Sequence, residues 1–276
     1  MNRPATKRVN PGPTADPVPF MPPEIDRGIA MPEMNMYWRT DRPKEGFYTT
    51  QLASHPERPI RTFLPNDYQP RYPYPLVVLF HGRGGSEEQV LRLAPKLSRR
   101  NYICISLRGP RELGVRPDGR VGFAWDDVNA EEETEEYLMR AVEQTRRTYH
   151  VHSERVFLAG VGEGASVAYR VGFRMSDRIA GLIALNGCIP SPNGNPIFTL
   201  NATRGLKVFM GHGIANTDTT FTRARRDYRL LYAAGADVKL VPYRTTHDLH
   251  PDMTRDMNQW IMSTINANTD LLLGKR

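Results

Sequence analysis

Short, continuous apolar runs alternate with amphipathic helical stretches through most of this chain. That alternation predicts an α/β fold, a mostly parallel central sheet with helices on both faces. Three observations carry the prediction. Leu76-Val-Val-Leu-Phe80 and Val156-Phe-Leu-Ala159 are apolar without alternation, as strands covered on both faces are. Each runs directly into a glycine-rich turn and then into helical spacing. A length of 276 residues suffices for one large domain with a buried sheet and leaves little for a second.

Residues 1–45 hold nine prolines between Pro4 and Pro43 and little periodic apolar pattern, which predicts a disordered or extended arm ahead of a domain spanning 46–276. Phe47–Gln51 and Pro59–Leu64 are bounded by turn residues and read as antiparallel edge strands. Leu76–Phe80 follows and ends in His81-Gly82-Arg83-Gly84-Gly85. Ser86, with Glu88 and Gln89 behind it, starts a helix that Val90, Leu91, Ala94 and Leu97 continue. Tyr102–Leu107 is the next buried strand, and Arg108–Asn129, rich in Gly, Pro and charge, reads as a long surface excursion.

The acidic run from Glu131 to Glu136 opens a helix reaching about Tyr149, since the positive end of a helix favours such charge, and it reads as a solvated helix start. After the strand ending at Gly160 and the helix from Glu163, Ile179–Leu185 and Leu206–Met210 are strands, with an irregular Pro/Gly/Asn segment between them. Thr222–Ala233 is helical, Asp237–Pro242 is a strand, and Pro251–Asn266 is a helix with proline in its first turn. In such a sheet ligands bind beyond the carboxyl ends of the strands.

Composition narrows the function. The formal charge is +7, but the 37 Lys and Arg are scattered, with no basic run interleaved with stacking aromatics, so no nucleic-acid partner is expected. Cys104 and Cys188 lie in apolar runs and read as buried free thiols. With neither a signal-peptide pattern nor a membrane-spanning apolar run, a cytoplasmic location is expected. His212, His247 and His250, with Asp248 and Asp252 nearby, invite a metal reading, yet no recognised ligand spacing is met, and neither metal nor cofactor is expected.

The turn that organises the chain is Gly160-Val161-Gly162-Glu163-Gly164, which has the glycine spacing of a nucleophile elbow, G-x-S-x-G, with Gly162 where the serine would stand. Together with His81–Gly85, Phe209-Met-Gly-His212-Gly213 and Tyr243–His247, each closing a strand, it resembles the α/β-hydrolase fold. The likeness is to the phospholipase/carboxylesterase branch that includes the acyl-protein thioesterases, over roughly residues 45–268. The resemblance implies an oxyanion and ligand-binding frame at Arg83, Gly84 and Glu163, where backbone N–H groups survive side-chain substitution. It implies an acid position at Asn216, with Asp218 as the alternative if the loop has shifted, and a base position at His247. Ser166 is the nearest hydroxyl and reads as a small helix-packing residue.

Three readings follow. The first is a catalytically impaired pseudo-hydrolase that keeps a pocket for a small acyl, carboxylate or ester-like ligand. The second is an ester hydrolase with a non-standard nucleophile. The third is an interaction module whose protein partner engages residues 1–45.

Overall fold

The computed structural model describes residues 44–125, 131–191 and 203–272. The proline-rich arm, apart from its last two residues, and most of the irregular segment after Leu185 lie outside them. No helix among the described residues is long and apolar enough to cross a membrane.

Among the described residues ten strands form: β1 (Gly46–Leu52), β2 (His55–Leu64), β3 (Tyr74–Phe80), β4 (Ile103–Leu107), β5 (Arg111–Val115), β6 (Val121–Ala124), β7 (Val151–Val161), β8 (Gly181–Leu185), β9 (Lys207–Gly213) and β10 (Asp237–Tyr243). Eight of them make one sheet in the order β1-β2-β4-β3-β7-β8-β9-β10. The β1–β2 and β2–β4 pairs are antiparallel and every later pair is parallel. The helices are α1 (Glu87–Leu91), α2 (Ala94–Leu97), α3 (Glu131–Thr148), α4 (Glu163–Arg174), α5 (Phe221–Ala233) and α6 (Pro251–Leu272).

The unbroken apolar character of β3 has a direct cause. Successive side chains point to opposite faces, and both faces are covered. Leu76, Val78 and Phe80 belong to one buried cluster that also holds Leu138 of α3, Ala168 of α4 and Leu231 of α5. Val77 and Leu79 pack with Leu91, Leu97 and Ile261, from α1, α2 and α6. Each such fully buried aliphatic side chain stabilises the fold by about 1.5–3 kcal/mol relative to exposure.

Four expectations need correction. The helix from Ser86 is capped as predicted, the Ser86 hydroxyl accepting the Gln89 N–H at 3.3 Å. It breaks into α1 and α2, however, because Pro95 has no N–H to continue the ladder and instead sits in the first turn of α2. The Arg108–Asn129 excursion contains the β5–β6 hairpin, and Trp125 at its end is only 2% exposed. The acidic start of α3 is not wholly solvated: Glu133 pairs at 3.0 Å with the buried Arg58, and Glu135 at 2.9 Å with Arg174. Cys104 is a buried free thiol, but Cys188 is free and only half-buried, because it lies past the end of β8 in the turn.

Candidate functional site at the strand ends

β7 delivers Val161 to the carboxyl edge of the sheet, Gly162 turns, and α4 begins at Glu163. Gly162 has φ 57° and ψ −118°, a left-handed-side conformation that L residues adopt only under strain. Its N–H donates to the Leu185 carbonyl at 2.8 Å, and its carbonyl accepts the Ala165 N–H at 3.1 Å. The flanking glycines have a different reason to be there. A Cβ on Gly160 would overlap the Gly164 carbonyl, and one on Gly164 would overlap the Phe80 and His81 carbonyls. A Cβ on Gly162 would meet only the Gly82 Cα, at 3.9 Å. The middle position therefore has room for a side chain where its neighbours have none.

Facing Gly162 is the turn after β3. The His81 ring is buried, its Nδ1–H donates to the Gly82 carbonyl at 2.8 Å, and its Nε2 accepts the Gly109 N–H at 2.9 Å. Burial brings its pKa down to about 4, so the ring is neutral near pH 7 and serves as a brace. The β5–β6 hairpin clasps the same turn: Gly84 N–H donates to the Phe123 carbonyl and Phe123 N–H to the Gly85 carbonyl, both at 2.8 Å. Trp125 Nε1–H donates to the His81 carbonyl at 3.0 Å. Glu163 then joins the two turns, with Oε1 3.3 Å from Arg83 Nη1 and Oε2 accepting the Trp125 N–H at 3.2 Å. Its side chain is a tie between segments.

The other half of the site follows β9 and β10. Asn216 is buried and Asp218 exposed, so of the two acid candidates only Asn216 turns inward. Its Oδ1 accepts the N–H groups of Asp218 at 3.0 Å and Thr219 at 3.1 Å. Its Nδ2 is buried with no partner among the described residues. The His247 side chain is 64% exposed, with Nε2 3.6 Å from Asp248 Oδ1. Among the described residues no hydrogen bond joins it to Asn216.

What holds this half together is Asn186, which the sequence reading missed. At φ 55° just past β8, its Nδ2 donates to the His247 carbonyl at 2.9 Å and the Asp248 carbonyl at 3.1 Å, and its Oδ1 accepts the Gly213 N–H at 2.8 Å. The Asn186-Gly187 pair directly after a buried strand was the available signal, since Asn tolerates left-handed backbone better than most residues.

The remaining candidates have separate partners. Ser166 donates to the Cys188 carbonyl at 2.9 Å. His212 is buried against the Thr219 carbonyl at 2.7 Å, and desolvation lowers its pKa. His250 Nδ1 accepts the Asp252 N–H at 3.2 Å. Among the described residues no three His, Cys, Asp or Glu are grouped to hold a metal ion. Beside the His81–Gly85 turn lies a cleft of about 660 Å³, bordered by Val161 and Leu249.

The fold has counterparts among proteins of known structure. A profile of the phospholipase/carboxylesterase family matches residues 69–265. The chain belongs to that family. A carboxylesterase of Bacillus cereus superposes with a TM-score of 0.60 at 17% identity, covering 76% of this chain and 96% of that one. The protein YahD, solved with malic acid, superposes with a TM-score of 0.54 at 17% identity, covering 69% of this chain and 94% of that one. An uncharacterized hydrolase of Schizosaccharomyces pombe is 28% identical over 129 residues, 42% of this chain, which spans 54% of that protein's length. Membership makes this a hydrolase-like protein with an α/β-hydrolase sheet.

Proposed function

We propose that this family member is a pseudo-hydrolase: Gly162 stands at the vacated nucleophile position, and the pocket binds a small carboxylate or ester-like ligand without turning it over. The observation that carries the reading is the conformation of Gly162. A turn glycine with no history of a side chain has no need of both a strained φ/ψ pair and open space at its Cβ. Acyl transfer requires an oxygen or sulfur nucleophile within hydrogen-bond reach of a base, and Gly162 offers none. Ser166 does not replace it, because its hydroxyl is committed to the Cys188 carbonyl.

Asn216 supports the same reading by its orientation. With Oδ1 engaged by two backbone N–H groups, the face left over is the Nδ2 donor. A donor cannot accept the imidazole N–H that a triad acid accepts, and among the described residues no hydrogen bond joins Asn216 to His247. The binding role rests on backbone N–H groups of Arg83 and Glu163, the latter in the first turn of α4, where the helix dipole favours an anion. That YahD was solved with malic acid makes a carboxylate the first ligand class to test.

The test compares wild type with Gly162→Ser and Gly162→Ser/Asn216→Asp, using p-nitrophenyl butyrate turnover and fluorophosphonate labelling. Wild type is expected to give neither a burst nor a label, and the double variant to be labelled. Wild-type turnover that disappears in His247→Ala would overturn the pseudo-hydrolase reading, and an unlabelled double variant would overturn the assignment of Gly162.

A further inference from the structure

We propose that the ligand of this pocket is an organic dianion, a phosphate monoester or a dicarboxylate of a few carbons, whose charged end is read by Arg92 and Lys96. The proposal rests on the ligand-pocket reading and adds the charge class. Four cations from separate parts of the chain line the cleft beside the His81–Gly85 turn: Arg83 on the turn, Arg92 and Lys96 at the ends of α1 and α2, and Arg116 at the tip of the β5–β6 hairpin. Among the described residues no carboxylate lines it. Cations that line one cleft repel one another, and an anion placed among them relieves that repulsion.

Two of the four are already neutralised. Arg83 pairs with Glu163 at 3.3 Å, and Arg116 with Asp118 at 3.2 Å. Arg116 is also held in place by the Gly84 carbonyl at 3.0 Å and Gln89 Oε1 at 2.8 Å, so its position is set before any ligand arrives. Arg92 and Lys96, both exposed, have no carboxylate partner among the described residues. Two uncompensated positive charges match a ligand with two negative ones. Leu93, Val161 and Leu249 line the same cleft, and Val161 precedes Gly162 directly. A short apolar body can therefore lie beside the charged end, against Leu93, Val161 and Leu249.

Titration calorimetry of the full chain tests this with glycerol 3-phosphate and malate as dianions, butyrate as a monoanion and glycerol as a neutral control. At least one dianion is expected to bind more tightly than butyrate or glycerol, and whichever it is identifies the headgroup. Arg92→Gln/Lys96→Gln, at exposed positions that leave the core intact, should weaken that binding by about tenfold or more, since hydrogen bonds to charged groups exceed that factor when lost. Raising the salt concentration should weaken wild-type binding more than it weakens binding by the variant.

Equal binding of butyrate and the dianions, no dianion binding, or binding unchanged in the double variant would overturn the proposal. Ester turnover by the wild type would overturn the pseudo-hydrolase reading and leave the charge preference standing. The two failures are thereby distinguishable.

Discussion

The half of the site around the His81–Gly85 turn and the half around Asn216 and His247 are held in different ways. In the first, side chains fix the main chain: the buried His81 bridges two backbone groups, the buried Trp125 holds the His81 carbonyl, and the half-buried Glu163 ties Arg83 to Trp125. In the second, the His247 loop is gripped by its carbonyl while the ring stays largely in solvent. Under the proposed function, anion binding uses the first half alone, whereas hydrolysis would need both, because a proton must move through a placed imidazole. On that reading, the half held by more side-chain bonds is the one whose donors are main-chain groups.

Substitutions on the two sides should separate them. The largest effect is expected from Trp125→Ala, which empties a buried site and removes the bond to the His81 carbonyl. A loss of about 3–5 kcal/mol in urea-unfolding stability is expected, together with loss of ligand binding. A loss under about 1 kcal/mol would mean that the hairpin does not brace the turn.

Acidification comes next. The folded His81 pKa of about 4 lies below the value near 6.5 in an unfolded chain. Its stabilising contribution is fully present above about pH 6.5 and is lost as pH falls toward 4, because only the unfolded state takes up the proton, for a total of about 3 kcal/mol. The lowered pKa of His212 acts in the same direction. Urea unfolding between about pH 7 and pH 4 should show this slope, and a His81→Asn variant should show a shallower one.

Gly162→Ser should cost about 1–3 kcal/mol through backbone strain alone, since the Cβ meets no close neighbour. A thermal melt identical to wild type would remove the argument from φ and ψ. The smallest effect is expected at His247→Ala, within about 0.5 kcal/mol, because the ring is mostly exposed. A larger loss would put His247 on the rigid side of the comparison.

The sheet was readable from sequence because its strands carry their burial in their own composition, and the turn at Gly162 because glycine spacing is local. The β5–β6 hairpin was not. Its outer strand is mostly exposed, and what buries the end of the second is a turn nearly 40 residues earlier, whose Gly85 pairs with Phe123. Pro117-Asp118-Gly119, with Gly119 at φ 77°, was the local turn signal that went unread. Asn186 escaped for a related reason, since its role depends on loops 27 and more residues further along. The orientation of His247 was equally invisible, because the spacing that places a residue after a strand does not fix a rotamer.

Asn186 also gives the protein a built-in clock. Its carboxamide shares one rigid plane between the Gly213 N–H and the carbonyls of His247 and Asp248. The buried Gly213 amide can exchange with solvent deuterium only when that plane lets go, and letting go frees the loop after β10 as well. The exchange rate of a single backbone amide therefore reports how often, on the seconds-to-hours scale, the region around His247 opens without the rest of the sheet. A ligand that closes the cleft at Leu249, two residues beyond His247, should slow that one proton while leaving the amides of β3 unchanged.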